Sequence, residues 1–270
     1  MPMIETDDGT AIYLKEWGDG PAVVLIHGWP LSADSWDDQA MAIADHGYRV
    51  IAYDRRGFGR SDQPWEGYDY DTLADDLAAV IEACDAENPA LVGFSMGGGE
   101  VARYLTRHGG ARKVALISSV VPFLLQTNDH QGAPQAVFDE IVEGLNKDRA
   151  DFLKGFFKDF YGVGMLSSPV SDAQLDWSLM IALQAGLKGS IDCVRAFSAT
   201  DFRPDLPSFT MPTLIIHGTA DKTVPIDLTA RAAAAAIPHA QLIEYDGAPH
   251  GLLATHKDSV TRDLIAFLDH

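Results

Sequence analysis

The tightest constraint on the fold lies at residues 90–107, where an apolar run turns abruptly into a helix-like pattern. Ala90-Leu91-Val92 has the composition of a buried strand, and GFSMGGGE follows at once, setting four glycines around one serine, Ser95. Glycine inside a helix or strand costs about 0.5–1 kcal/mol relative to alanine. Such a cluster therefore implies a backbone that bends too sharply, or passes its neighbours too closely, for side chains. The plain alternative is a loose turn with an incidental serine. The rest of the chain decides between them.

Residues 11–16, 22–26, 48–53, 90–93, 114–118, 213–217 and 241–245 read as strands. Residues 72–83, 98–107, 228–236 and 260–268 show helical spacing, with Leu73, Leu77, Val80 and Ile81 on one face of the first. Strands alternating with helices predict an α/β fold, with a mostly parallel central sheet flanked by helices. Residues 121–205 break the rhythm. They carry Phe123, Phe138, Phe152, Phe156, Phe157, Phe160, Tyr161 and Trp177 and read as helices without strands. We expect a core domain of residues 1–120 and 206–270, with 121–205 inserted as a helical cap (lid) over one end of the sheet.

A chain of 270 residues with 47% hydrophobic content can bury a core of that size. Its formal net charge of −19 disfavours nucleic acid and anionic membranes as partners, because both would repel it. An acidic surface aids solubility and also fits a saline habitat. Apolar runs such as 22–26 and 114–121 are too short to span a bilayer. The opening MPMIETDDGT lacks the basic and then apolar segments of an export signal, so a cytoplasmic location is expected. Cys84 and Cys193 form no disulfide framework or metal-ligand spacing and are expected to be reduced.

In an open parallel sheet, ligands bind beyond the carboxyl ends of the strands. The polar residues there are His27, in His27-Gly28-Trp29-Pro30, then Asp54, Ser95, Asp221 and His250. A serine, an acid and a histidine thus emerge at one edge in that chain order. Gly93-Phe94-Ser95-Met96-Gly97 matches G-x-S-x-G between a strand and a helix, the setting of a nucleophile elbow that thrusts a serine Oγ clear of the sheet. A serine needs a base, and the base needs orienting. His250, in GAPHG, is the expected base, and Asp221, in HGTADKTVP, the expected acceptor of its Nδ1 proton. Asp201, Asp205 and Asp227 are rivals, but none follows a core strand so directly. The backbone N–H groups of Met96 and Trp29 are the expected donors to a developing oxyanion, and the Trp29 indole a wall of the acyl site. His27 and His217, each before a glycine at a strand end, are read as structural support. His46, His108, His130, His239, His256 and His270 lack a complementary acid and nucleophile.

HGWP at 27–30, YDRRGFGRSDQP at 53–64, YDYDTLADDL at 68–77, GFSMGGGE at 93–100, HGTADKTVP at 217–225 and GAPHG at 247–251 together resemble the α/β-hydrolase fold. VVPFLLQ at 120–126 and DFRPD at 201–205 fit the same group. More narrowly, the chain resembles the bacterial arylesterases, γ-lactamases and cofactor-free haloperoxidases, or perhydrolases, over essentially its whole length. The resemblance implies Ser95, Asp221 and His250 as triad, Trp29 and Met96 as oxyanion donors, and hydrolysis of small esters through an acyl-enzyme. It implies no metal and no organic cofactor. It also implies perhydrolysis, in which hydrogen peroxide replaces water and yields a peracid that can oxidise halide. A homo-oligomer is common in the group.

Pro30 lacks an N–H and restricts the residue before it, so we expect it to aim the Trp29 carbonyl at bound peroxide; the alternative is a turn-stiffening proline. Phe123, Phe138, Phe156 and Phe160 from the insertion, facing Val224 and Ile226, are the acyl-pocket candidates, and Phe94 is expected beneath the elbow. An amidase or γ-lactamase would use the same triad, and a non-catalytic binder could dispense with it. Haloalkane dehalogenases and epoxide hydrolases need a carboxylate where Ser95 stands.

Overall fold

The computed structural model describes residues 2–270. Among the described residues, eight strands form one sheet: β1 (Met3–Glu5), β2 (Ala11–Trp17), β3 (Ala22–Ile26), β4 (Arg49–Tyr53), β5 (Ala90–Phe94), β6 (Lys113–Ile117), β7 (Thr213–Gly218) and β8 (Ala240–Tyr245). Their spatial order is β1-β2-β4-β3-β5-β6-β7-β8. β1 and β2 run antiparallel to their neighbours, and every pairing from β4 to β8 is parallel. Every residue of β3, β5 and β7 is buried, which is why these segments read as unbroken apolar runs rather than alternating ones.

The helices are α1 (Asp37–Asp45), α2 (Tyr70–Ala83), α3 (Met96–Arg107), α4 (Gln135–Phe160), α5 (Asp172–Gln184), α6 (Leu187–Ala199), α7 (Ala230–Ala236), α8 (Leu252–Thr255) and α9 (Lys257–Asp269). α2 packs on α3, and α1 on α9. Leu73, Leu77 and Val80 form the buried face of α2, and the Asp69 carboxylate caps its start by accepting from the N–H groups of Asp71 and Thr72. Sequence reading missed β1, α1 and the one-turn α8. β1 is only partly buried, and α1 carries Asp37, Asp38 and Asp45 around a narrow apolar stripe.

Between β6 and β7 the chain forms α4, α5 and α6 with no strand. α4 is interrupted at Asp148 (φ −157°, ψ 91°), whose carboxylate caps the second half through the Asp151 N–H at 3.1 Å. The end of α4 is tied to the core beside His250, where the Gly251 N–H donates to the Phe160 carbonyl at 2.8 Å. No helix is long and apolar enough to cross a membrane among the described residues.

Candidate active site

Ser95 joins β5 to α3 with φ +53° and ψ −118°, a conformation that L-residues rarely adopt. The bend is locked from both sides: its N–H donates to the Ile117 carbonyl at 2.8 Å, and its carbonyl accepts from Gly98 at 3.0 Å. The glycines now have their reason. A Cβ on Gly97 would lie 2.5 Å from the Ile26 carbonyl oxygen, so α3 can start this close to the end of β3 only without a side chain. A Cβ on Gly28 would sit 2.9 Å from the Ser95 Cβ, so the loop after β3 passes directly against the serine.

The loop after β8 brings His250 to the same point. Ser95 Oγ stands 3.0 Å from His250 Nε2, and Asp221 Oδ2 stands 2.6 Å from His250 Nδ1. With a carboxylate facing Nδ1, the proton resides there, and Nε2 is left to accept from the serine hydroxyl. All three side chains are buried. Phe94 and Phe160 pack on the His250 ring at centroid distances of 5.3 and 4.9 Å. Ser118, itself at φ +45°, donates its hydroxyl to the His250 carbonyl at 3.1 Å.

Asp221 Oδ1 accepts from the N–H groups of Thr223 (2.9 Å) and Val224 (2.8 Å). Burial opposes its charge, but the facing His250 and hydrogen bonds from His217 and His250 outweigh burial and hold its pKa at about 2. The rival aspartates are occupied elsewhere, Asp201 by Arg203, Asp205 by Arg103 and Asp227 by Arg231.

The N–H groups of Trp29 and Met96 donate to no acceptor among the described residues. Trp29 sits on the loop that passes against Ser95, and Met96 immediately follows the serine. Behind them lies a buried polar network. Arg55 pairs with Glu100, which also accepts from the Tyr53 hydroxyl at 2.6 Å. Arg55 Nη2 donates to the His27 carbonyl at 2.6 Å, and its backbone N–H to His27 Nε2 at 3.0 Å. His27 must then carry its proton on Nδ1, donated to the Gly28 carbonyl at 2.9 Å. Asp54 shapes the adjoining loop instead, accepting from Ala33 and Arg60.

The Trp29 indole is pinned by an Nε1–H donated to the Ser190 carbonyl at 3.0 Å and packs edge-on against Phe156 (5.3 Å) and Phe197 (5.9 Å). The Trp29–Pro30 peptide is cis, and Pro30 is buried. Phe156 also meets Phe160 at 5.6 Å, so two of the four phenylalanines singled out pack together beside Trp29 and His250. Phe138 reaches Trp29 only through Phe197 and borders an outer groove of about 430 Å³ between α4 and α6. Phe123 packs on His130 (5.0 Å) beneath Arg203 (5.4 Å), away from this ring cluster. Val224 and Ile226 are buried, and Val224 serves Asp221 through its backbone. Phe197, Ser118 and the closeness of His217 to Asp221 were not read from the sequence, where nothing local marks them.

A model of the alpha/beta hydrolase fold matches residues 21–257. The chain is 42% identical to a non-heme chloroperoxidase of Kitasatospora aureofaciens over the full length of both. It is 39% identical to a bifunctional esterase/perhydrolase of Acinetobacter calcoaceticus, with 99% of each chain covered. A bromoperoxidase from Bacillus anthracis superposes with a TM-score of 0.96 at 45% identity, covering 100% of this chain and 99% of that one.

Proposed function

The chain belongs to the α/β-hydrolase family, and from that premise we propose that it is a serine esterase of small carboxylic esters that also performs perhydrolysis. The observation that carries this reading is His250, set between Ser95 at 3.0 Å and Asp221 at 2.6 Å. Ser95 Oγ attacks the ester carbonyl carbon while His250 Nε2 takes the hydroxyl proton, and the charge collecting on the carbonyl oxygen is met by the Trp29 and Met96 N–H groups. Collapse breaks the bond to the alcohol, which leaves with the proton from His250. Water or hydrogen peroxide then gives a proton to His250 and attacks the acyl carbon. The second collapse frees carboxylic acid or peracid, and Ser95 recovers its proton. Released peracid oxidises halide to hypohalite and is itself reduced to the acid, so halogenation is indirect.

In this reading residues 121–205 act as the cap. Phe156 and Phe160, with Trp29, crowd the acyl side, which favours short acyl groups and aryl esters. Pro30 is the residue we assign to aiming the Trp29 carbonyl at peroxide. Relatives bearing haloperoxidase and esterase/perhydrolase names support the pairing of activities.

The test is a panel of short alkyl esters, aryl esters and bicyclic γ-lactams, each assayed with and without hydrogen peroxide, using Ser95→Ala as background. We expect short and aryl esters to be cleaved, peracid to appear only with peroxide, and Ser95→Ala to do neither. Lactam cleavage without ester cleavage would overturn the reading.

A further inference from the structure

Asp221 is faced by two imidazoles, and the mechanism above uses only one. His217, in β7, is fully buried four residues before Asp221. Its Nε2 lies 2.8 Å from the Val224 carbonyl and 3.1 Å from Asp221 Oδ2, the oxygen that also accepts from His250 Nδ1. Both neighbours are acceptors, so the proton sits on Nε2. The N–H points chiefly at Val224, with the carboxylate oxygen as its second neighbour.

The other nitrogen is the informative one. His217 Nδ1 is buried and has no hydrogen-bond partner among the described residues. An unpaired buried polar atom is a cost that an apolar side chain of similar size would avoid, so packing alone gives no reason for histidine here. The reason lies at Nε2. The Val224 carbonyl accepts from His217, while the N–H of the same residue donates to Asp221 Oδ1. His217 therefore acts on the carboxylate twice, directly at Oδ2 and through the residue that grips Oδ1.

We propose that His217 is a positioning residue of the triad. It fixes Asp221 so that Oδ2 meets His250 Nδ1, and its N–H shares the charge of that carboxylate oxygen. The proposal rests on the serine-hydrolase reading above. The titratable groups around the pair are few. Asp221 faces His217 and His250, and on β8 Glu244 stands in register with His217 but is engaged by Arg231 at 2.6 Å.

The experiment is kcat and KM for an aryl acetate against pH, in the wild type and in His217→Leu, His217→Gln and His217→Asn. A carboxylate stripped of a donor is a stronger base and holds the His250 imidazolium more tightly. We expect His217→Leu to lower kcat about tenfold or more with KM nearly constant, the worth of one charge-assisted hydrogen bond. The acid limb of kcat/KM should move to higher pH by about half a unit or more. In His217→Gln the amide nitrogen reaches the place of Nε2 and should restore both quantities; in His217→Asn it stops a bond short and should not. A folded His217→Leu enzyme with unchanged kcat and acid limb overturns the proposal. If that variant does not fold, equal behaviour of the glutamine and asparagine enzymes overturns it. A wild type that hydrolyses no ester would instead remove the parent reading, so the two failures are distinct.

Discussion

At the scale of residues, Asp221 holds its charge in a buried place because four donors converge on it: two backbone N–H groups at Oδ1 and two imidazoles at Oδ2. With its pKa held at about 2, it is ionised throughout any working range. A depressed carboxylate adds stability that is present above its ordinary value near 3.8 and lost only as pH falls through about 2. The acid limb of kcat/KM should therefore be a single-proton step belonging to the imidazole. Asp221→Asn would put an amide donor or an uncharged oxygen opposite His250 Nδ1 and free the imidazole to take the wrong tautomer. We expect kcat to fall about 10³–10⁴-fold with folding retained, read by steady-state kinetics beside a thermal melt. Ser95, Asp221 and His250 were legible because each follows a core strand in a motif of its own. Ser118 was not, because its partner, the His250 carbonyl, arrives from the loop after β8; His217 was read as structural support, but not its contact with Asp221, which depends on how the loop after β7 folds back.

At the scale of elements, the loop after β3 depends on a buried arginine and a buried histidine, Arg55 and His27. His27 must stay neutral to accept from Arg55, and burial with the adjacent Arg55 charge pushes its pKa well below the ordinary 6.5. The unfolded chain takes up a proton there as pH falls through about 6.5, and the folded chain does not. The stability contributed is then complete above that pH and lost below it, at up to about 1.4 kcal/mol per pH unit. His27→Asn, whose amide can still donate to the Gly28 carbonyl, should be less stable at neutrality yet lose less between pH 6.5 and 5. Urea unfolding at several pH values measures both slopes, and equal slopes would contradict the assignment. The core strands were plain in the sequence because strands buried on both faces must be apolar throughout. The helices of 121–205 were legible as helices, but not which faces they present. Phe156 and Phe123 look alike in sequence, yet one packs on Trp29 and the other under Arg203.

At the scale of the whole molecule, the sheet unites groups far apart in the chain: His250 lies 155 residues from Ser95 and 29 from Asp221. The acid excess leaves its own mark. With 39 acidic and 20 basic residues, arginines are shared, Arg56 between Asp8 and Asp76, Arg103 between Asp71 and Asp205, and Arg203 between Asp129 and Asp201. The exposed pairs add little stability each, and the field they leave is negative, which suits a small neutral substrate. On the proposed function, the assembly serves to make one hydroxyl, that of Ser95, nucleophilic. The most direct test is mass spectrometry of the protein after treatment with a fluorophosphonate, compared with His250→Ala. The account predicts one adduct, on the peptide containing Ser95, formed quickly in the wild type and scarcely in the variant, with ester hydrolysis lost in step. Ester hydrolysis that persists while Ser95 stays unmodified would contradict it.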